Sequence, residues 1–346
     1  MSEWFIVTTS KTLPFGSPLR YNRERNFRGN ACRMQPLSIC AVVATFNRKT
    51  VLTECLTALL SQSRPLDEII LIDNASSDGT EELVKAEFSQ VTYVKLSQNI
   101  GSAGGFGEGI RLACEKGHDW IWVMDDDAVP MADALEKLTG SPAMLLDKVY
   151  AVASTELHGD GRIVQWQRNL FDFRVLKETP VDASRYREEY FEVDTAGWAG
   201  LLVSRRAVKD VGLPLKDLFI YFDDCEYSLR MRQKGIILTV PASKIIHSSR
   251  SLNPGTGKPT KLLRPSGWRQ YYVTRNHIYI YRKYARPGLF FDRLSFYIMI
   301  GLGLVYGVLQ TLVFREYRLQ SLRIRLRGTW DGLRGKVGKN NNFLPG

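Results

Sequence analysis

Cysteine is scarce in this sequence and forms no C-x-x-C pair: Cys32, Cys40, Cys55, Cys114 and Cys225 are scattered and odd in number. That pattern argues against a disulfide framework or a cysteine-zinc site and favours a reducing compartment. No internal repeat is present. The first 36 residues hold no continuous apolar core and carry Arg20, Arg23, Arg25, Arg28 and Arg33, so no secretory signal is expected in them. Acid is in deficit: 36 Asp and Glu stand against 47 Lys and Arg, a net charge of +11. The imbalance is concentrated, with six Lys/Arg and no acid in 262–288, and eight Lys/Arg against Glu316 and Asp331 in 315–346. Basic ends around a less basic middle point to an anionic surface or ligand, unless they serve only to keep the chain soluble.

What is present is an α/β pattern. At 346 residues, 44% of them hydrophobic, the chain can bury the core of one large domain, with or without an appendage. Residues 1–36 read as an irregular basic arm. From there strands and helices alternate. LSICAVVATF (37–46) is a buried strand, KTVLTECLTALLSQ (49–62) a helix, DEIILIDNAS (67–76) a strand running into a polar turn, and DGTEELVKAEF (78–88) a turn and helix. VTYVKL (91–96) is a third strand, SQNIGSAGGFGEGI (97–110) a glycine-rich turn before a helix at RLACEKG, and WIWVMDDD (120–127) a fourth strand. Such alternation implies a parallel sheet, whose ligands sit beyond the carboxyl ends of its strands. Those ends carry Thr45–Arg48, Asp73–Asn74, Gln98–Gly105 and Asp125–Asp127, four polar groups on one edge.

The acids of WVMDDDAVP (122–130) are the sharpest signal. Two carboxylates one residue apart at a strand end can chelate a hard divalent cation such as Mg²⁺ or Mn²⁺, which often bridges to substrate phosphates. A lone D-x-D is commonly just a surface turn; its place after a strand, beside a glycine-rich segment, raises its weight. That segment is not the G-x-G-x-x-G of a dinucleotide fold directly after a first strand. Asp73 is suited to accept from a pyrimidine imide N–H with Thr45 nearby, or equally to cap the following helix. Asp223 and Asp224, in LFIYFDDCEYSLRMRQKG (218–235), open a helix on acids, where the helix dipole favours them.

In order, VVATFNR, LIDNASSDGT, QNIGSAGGFGEG, WVMDDDAVP, GWAGLLVSRRAV and YFDDCEYSLRMRQKG resemble the family 2 inverting glycosyltransferases of GT-A fold over residues 37–250. SAGGF, MDDD and YFDDCEYSLR are most similar to the galactofuranosyltransferase branch; rhamnosyltransferases more often carry Glu-Asp where Asp223–Asp224 stands. The resemblance implies a GT-A domain over 37–260, a Rossmann-like and mostly parallel sheet flanked by helices. It implies that Asp73, Thr45 and Arg48 hold the uracil of a UDP-sugar, and that Asn99, Gly101, Gly104 and Gly105 line the ribose and diphosphate. Asp125 and Asp127 would bind Mn²⁺ or Mg²⁺ with His247, and Asp126 would face the donor sugar. Asp224 would be the general base, supported by Asp223. Trp198 would stack on the acceptor sugar, although a core tryptophan fits its sequence as well. On the residues alone His247, in IIHSS, reads as a buried, hydrogen-bonded histidine.

The remaining segment, 261–346, is read as a helical, membrane-associated extension, basic and apolar. Its run LSFYIMIGLGLVYGVLQTLVF (294–314) is 21 residues without a charge, long enough to span a bilayer, lie in its interface or pack on the domain. WRQYYVTRNHIYIYRKYARPG (268–288) interleaves bases and aromatics, as an RNA-binding surface would, or a helix covering the sheet. With a glycosyltransferase core, a lipid-linked or glycan acceptor at the inner face of a membrane fits better than nucleic acid. The expectation is therefore a metal-dependent transferase moving galactofuranose from UDP-galactofuranose in cell-envelope polysaccharide assembly. The alternatives are a rhamnosyltransferase using dTDP-rhamnose and an inert nucleotide fold that binds membrane or RNA. A sugar nucleotidyltransferase would need a glycine-rich basic loop after the first strand, which ATFNRKT lacks.

Overall fold

The computed structural model describes residues 37–173, 177–247, 267–284, 297–298, 300–305, 308 and 319–344. The expected arm at 1–36 and most of the apolar run 294–314 lie outside them. The first elements are β1 (Ile39–Thr45), α1 (Lys49–Leu60), β2 (Glu68–Asp73), α2 (Thr80–Glu87), β3 (Thr92–Lys95), α3 (Gly101–Glu115) and β4 (Trp120–Asp125). Then come β5 (Ala128–Pro130), α4 (Ala134–Thr139), β6 (Val149–Leu157), β7 (Arg168–Asp172), β8 (Lys177–Pro180), β9 (Phe191–Val193), β10 (Thr195–Ala196), β11 (Leu201–Ser204) and α5 (Arg205–Val211). The described chain closes with α6 (Asp223–Arg232), β12 (Ile236–His247), α7 (Gly267–Tyr284) and α8 (Leu319–Leu333).

Among the described residues one nine-stranded sheet runs β3-β2-β1-β4-β11-β6-β12-β5, with β9 added on β12. The β3-β2-β1-β4 half is parallel throughout, as the alternation of elements requires; β11 then enters antiparallel between β4 and β6, and β6 and β12 pair in parallel. Helices cover both faces. Successive side chains of a strand point to opposite faces, so Ile39, Ala41 and Val43 of β1 pack with Leu52, Leu56 and Leu59 of α1, whereas Cys40 and Val42 pack with Phe106 and Ile110 of α3. Burial on both faces is why the central strands read as unbroken apolar runs.

The glycine-rich stretch 97–110 corrects its sequence reading. It is not a turn: from Gly101 to Ile110 it is the first two thirds of α3. Glycine inside a helix costs about 1 kcal/mol relative to alanine, and here close packing on the sheet outweighs that cost. A Cβ on Gly105 would stand 2.7 Å from Asn74 Nδ2, and one on Gly109 would overlap Val42. The glycines thus seat α3 against β1 and β2, bringing its amino end to the carboxyl edge of the sheet.

Helices α7 and α8 pack on each other and on the domain. Tyr271 donates to Asp331 Oδ2 at 2.8 Å, and Lys283 and Tyr284 of α7 both reach Glu226 of α6, at 2.6 and 3.0 Å. Tyr271, Tyr272, Tyr281 and Tyr284 are buried, so these four aromatics of α7 cover the domain. No helix among the described residues is long and apolar enough to cross a membrane.

Candidate active site

The carboxyl ends of β1 and β4 meet the end of β12. Asp125 ends β4 opposite Ala44 of β1. The chain then turns back at once into β5, which pairs antiparallel with β12 so that Ala128 faces His247. That register carries the imidazole to the acids: His247 Nε2 lies 2.7 Å from Asp127 Oδ1. Its other nitrogen, Nδ1, lies 2.7 Å from Oε1 of Glu156, near the end of β6. One ligand atom each from Asp125, Asp127 and His247 can be chosen with all three within 4.8 Å of one another. Two carboxylates and an imidazole in that compass make a donor set suited to Mn²⁺ or Mg²⁺. His247 is therefore both things the sequence allowed, a buried hydrogen-bonded histidine and a candidate ligand.

Arg48 forks across the other two positions, Nη1 at 2.9 Å from Asp126 Oδ1 and Nη2 at 2.7 Å from Asp127 Oδ2. Thr45 donates to Asp126 Oδ2 at 2.7 Å. Burial nonetheless pushes the Asp126 carboxyl up to about 7, against the pull of Arg48. Thr45 and Arg48 thus lie on the acidic triplet. Asp73 is 0% exposed, accepting from Ser76 N at 2.7 Å and from the Tyr93 hydroxyl at 2.5 Å. Its carboxylate fastens the turn after β2. It does not cap α2, whose first turn is bonded by Asp78. Asn99 accepts from Gly101 N at 2.8 Å and its carbonyl from Lys339 at 2.8 Å. Gly104 and Gly105 pack on Ile100 and Asn74, and Gly101 on Phe219.

The second acid pair opens α6. Asp223 is buried and accepts from Trp198 Nε1 at 2.9 Å and from Ser102 Oγ at 3.2 Å. Asp224 is half-buried, with Oδ1 on the amide of Cys225 at 2.7 Å. Burial raises both carboxyls above the usual range, and the charge of Asp223 lifts Asp224 further. Asp125 also raises both, so the two acid groups feel one another electrostatically. Trp198 takes the core alternative. Its ring is 5% exposed, 5.1 Å from Phe106 and 5.6 Å from Tyr227 between centroids, and its N–H anchors Asp223. That leaves it poorly placed to stack on a sugar. Glu156 was missed by sequence reasoning. Its signal was the one charged residue in the fully buried strand VYAVASTEL.

The sheet and the acidic edge it carries define a GT-A-type α/β domain. Residues 40–212 match the model of Glycosyl transferase family 2, and the chain belongs to that family. It is 30% identical over 200 residues to galactofuranosyltransferase GlfT1 of Mycolicibacterium smegmatis, covering 57% of this chain and 66% of that one. It is 23% identical over 308 residues to dTDP-rhamnosyl transferase RfbF of Shigella flexneri, covering 87% of this chain and 97% of that one. Among solved structures, that of GalNAc-T7 with UDP, GalNAc and Mn²⁺ superposes with a TM-score of 0.54 at 18% identity, over 71% of this chain and 48% of that one. At that identity the likeness is one of fold. The chain thus spans less than two thirds of the mycobacterial relative and about half of the solved one.

Proposed function

We propose that this protein is a metal-dependent inverting glycosyltransferase that moves galactofuranose from UDP-galactofuranose to a glycan or lipid-linked acceptor. The observation that carries the reading is the convergence, on one sheet edge, of the Asp125–Asp127–His247 set with the raised Asp223–Asp224 pair. A divalent ion held by Asp125, Asp127 and His247 would neutralise charge growing on the leaving diphosphate. The chain's own residues supply the rest. Arg48 and Thr45 orient the acidic turn, and Trp198 and Ser102 fix Asp223 beside Asp224. Asp224 accepts the proton of the acceptor hydroxyl as that oxygen attacks the anomeric carbon. A single displacement with one base inverts the anomeric configuration. Likeness to GlfT1 supports the galactofuranosyl donor. A second reading, rhamnosyl transfer from dTDP-rhamnose, is favoured by likeness to RfbF along nearly that protein's whole length.

Contact with a membrane surface is part of the proposal. Leu326 and Trp330 of α8, and Tyr297, Ile298, Leu302 and Val305, are exposed apolar side chains in a strongly basic part of the chain. Apolar and cationic groups together suit an anionic interface.

The deciding experiment is a panel of UDP- and dTDP-sugars, assayed for nucleotide release with Mn²⁺, with Mg²⁺ and with chelator. UDP-galactofuranose should give metal-dependent release. Release from dTDP-rhamnose instead would establish the second reading, and no release from any sugar nucleotide would overturn both.

Glu156 gives a separate check. A carboxylate on the far nitrogen of a ligating histidine fixes the ring and its tautomer, and its loss typically costs 10–100-fold in metal affinity. Glu156→Gln should weaken Mn²⁺ binding, read by paramagnetic resonance of the free ion, by about that factor. Unchanged affinity would show that Glu156 only fills space.

A further inference from the structure

The acid pair is presented by a loop, Asp217–Phe222, whose backbone is disfavoured. Phe219, Tyr221 and Phe222 have φ of 66°, 67° and 62°. Such values suit glycine or asparagine, and a bulky aromatic gains nothing from them locally. Strain of this kind persists only where the surroundings over-determine it.

Here the surroundings are α7 and α3. Asn276, 0% exposed, donates through Nδ2 to the carbonyls of Leu218, Ile220 and Tyr221 at 2.9, 2.9 and 2.8 Å. Its neighbour Arg275 donates to the Leu218 carbonyl at 2.8 Å and also holds the carbonyl of Gly338. Gly338 N in turn donates to the Asp217 carbonyl at 2.6 Å. From the opposite side Ala103 N donates to the Phe219 carbonyl at 3.2 Å. Gly101, at φ 79°, leaves room for that carbonyl, which any Cβ there would strike. Every carbonyl from Asp217 to Tyr221 is thus engaged. The ring of Phe222 stacks on His277 of α7 at 5.2 Å and 4°. The next two residues are Asp223 and Asp224.

We propose that Asn276 is a positioning residue for the acid pair, holding the strained loop so that the Asp224 carboxylate meets the acceptor hydroxyl. The inference rests on the reading of Asp224 as the base. It makes α7 part of the catalytic apparatus, although α7 lies outside the 40–212 span of the family match. Plain fastening of α7 to the domain would need contact with the loop somewhere. It would not need one amide spread over three carbonyls in the turn that aims the carboxylates.

The test uses the full chain. Asn276→Ala should lower kcat about 10–100-fold, since a displacement of about 1 Å at a reacting group can cost 10²-fold. Donor KM and UDP affinity should stay within about twofold, because the metal set and Arg48 are untouched. If Asn276 acts through Asp224, the same substitution in an Asp224→Asn background should cost little more, the mark of residues that work as one unit. Where the alanine variant does not fold, Asn276→Ser, which keeps a donor hydroxyl, carries the same test with a smaller loss. A folded variant with wild-type kcat, or an equal loss in both backgrounds, overturns the proposal. If Asp224→Asn itself turns over at the wild-type rate, the base assignment fails and this proposal with it.

Discussion

Asp125→Ala and Asp127→Ala should each abolish metal-dependent transfer, with losses on the order of 10³-fold or more. A bound cation contributes several kcal/mol of charge stabilisation as a diphosphate departs, and each 1.36 kcal/mol is a factor of ten in rate. The two substitutions are not equivalent in the fold. Asp125 is half-buried at the end of β4, less enclosed than Asp127, so its loss should cost less stability. Asp127 is buried between Arg48 and His247, at 2.7 Å from each. Removing it takes one carboxylate from the exposed Arg48, which keeps Asp126, and one from the buried imidazole, which keeps Glu156, so Asp127→Asn is the better probe there. The checks are Mn²⁺ affinity, melting temperature and turnover with saturating donor. Near-wild-type turnover in a folded Asp125→Ala protein would remove the metal from the mechanism.

Much of the scaffold around these acids was legible because its physics is local. Unbroken apolar runs gave β1, β2 and β4, and helical spacing gave α1. The carboxyl-edge rule for parallel sheets then put Thr45, Arg48 and Asp125–Asp127 at one place, and they meet there. What escaped was set by distant partners. Glycines 101–109 carry turn propensity, and only the approach of α3 to Val42 and Asn74 makes them helical. Gly101, Gly105 and Gly109 lie four apart on one helix face, a periodicity that would have signalled it. Trp198 sits where Phe106 of α3 meets Tyr227 and Asp223 of α6, which no spacing within GWAG discloses. Glu156 and Asn276 act across 91 and up to 58 residues of sequence. The left-handed turns at Phe219, Tyr221 and Phe222 run against propensity altogether. Local rules fail at the segment that aims the acid pair, as expected where strain is held for function.

Asp224→Asn should separate chemistry from binding. The amide has nearly the shape of the carboxyl, so the Asp125–Asp127–His247 set and the Arg48 fork stay in place, and affinity for Mn²⁺ and UDP should change little. The proton acceptor is gone, and loss of a general base costs about 10²–10⁴ in rate. Stability should move the other way. Burial, with the charge of Asp223 beside it, holds the Asp224 carboxyl above its unfolded value of 3.8. A raised acid binds its proton more tightly in the folded chain, so its contribution favours folding below 3.8 and is lost as pH climbs toward the folded value. In metal-free protein at pH 8, where the wild-type carboxyl is partly ionised beside Asp223 and its proton-linked stabilisation is largely lost, the asparagine variant should melt higher. Each kcal/mol relieved amounts to about 2–4 °C for a domain of this size. Near pH 4 the difference should vanish. If Asp224 served only to cap α6, its loss would lower the melting temperature by the equivalent of about 1 kcal/mol and leave turnover intact. A variant that is more stable at pH 8 and slower by two or more orders of magnitude fits the base alone; one that is less stable and equally active fits the cap.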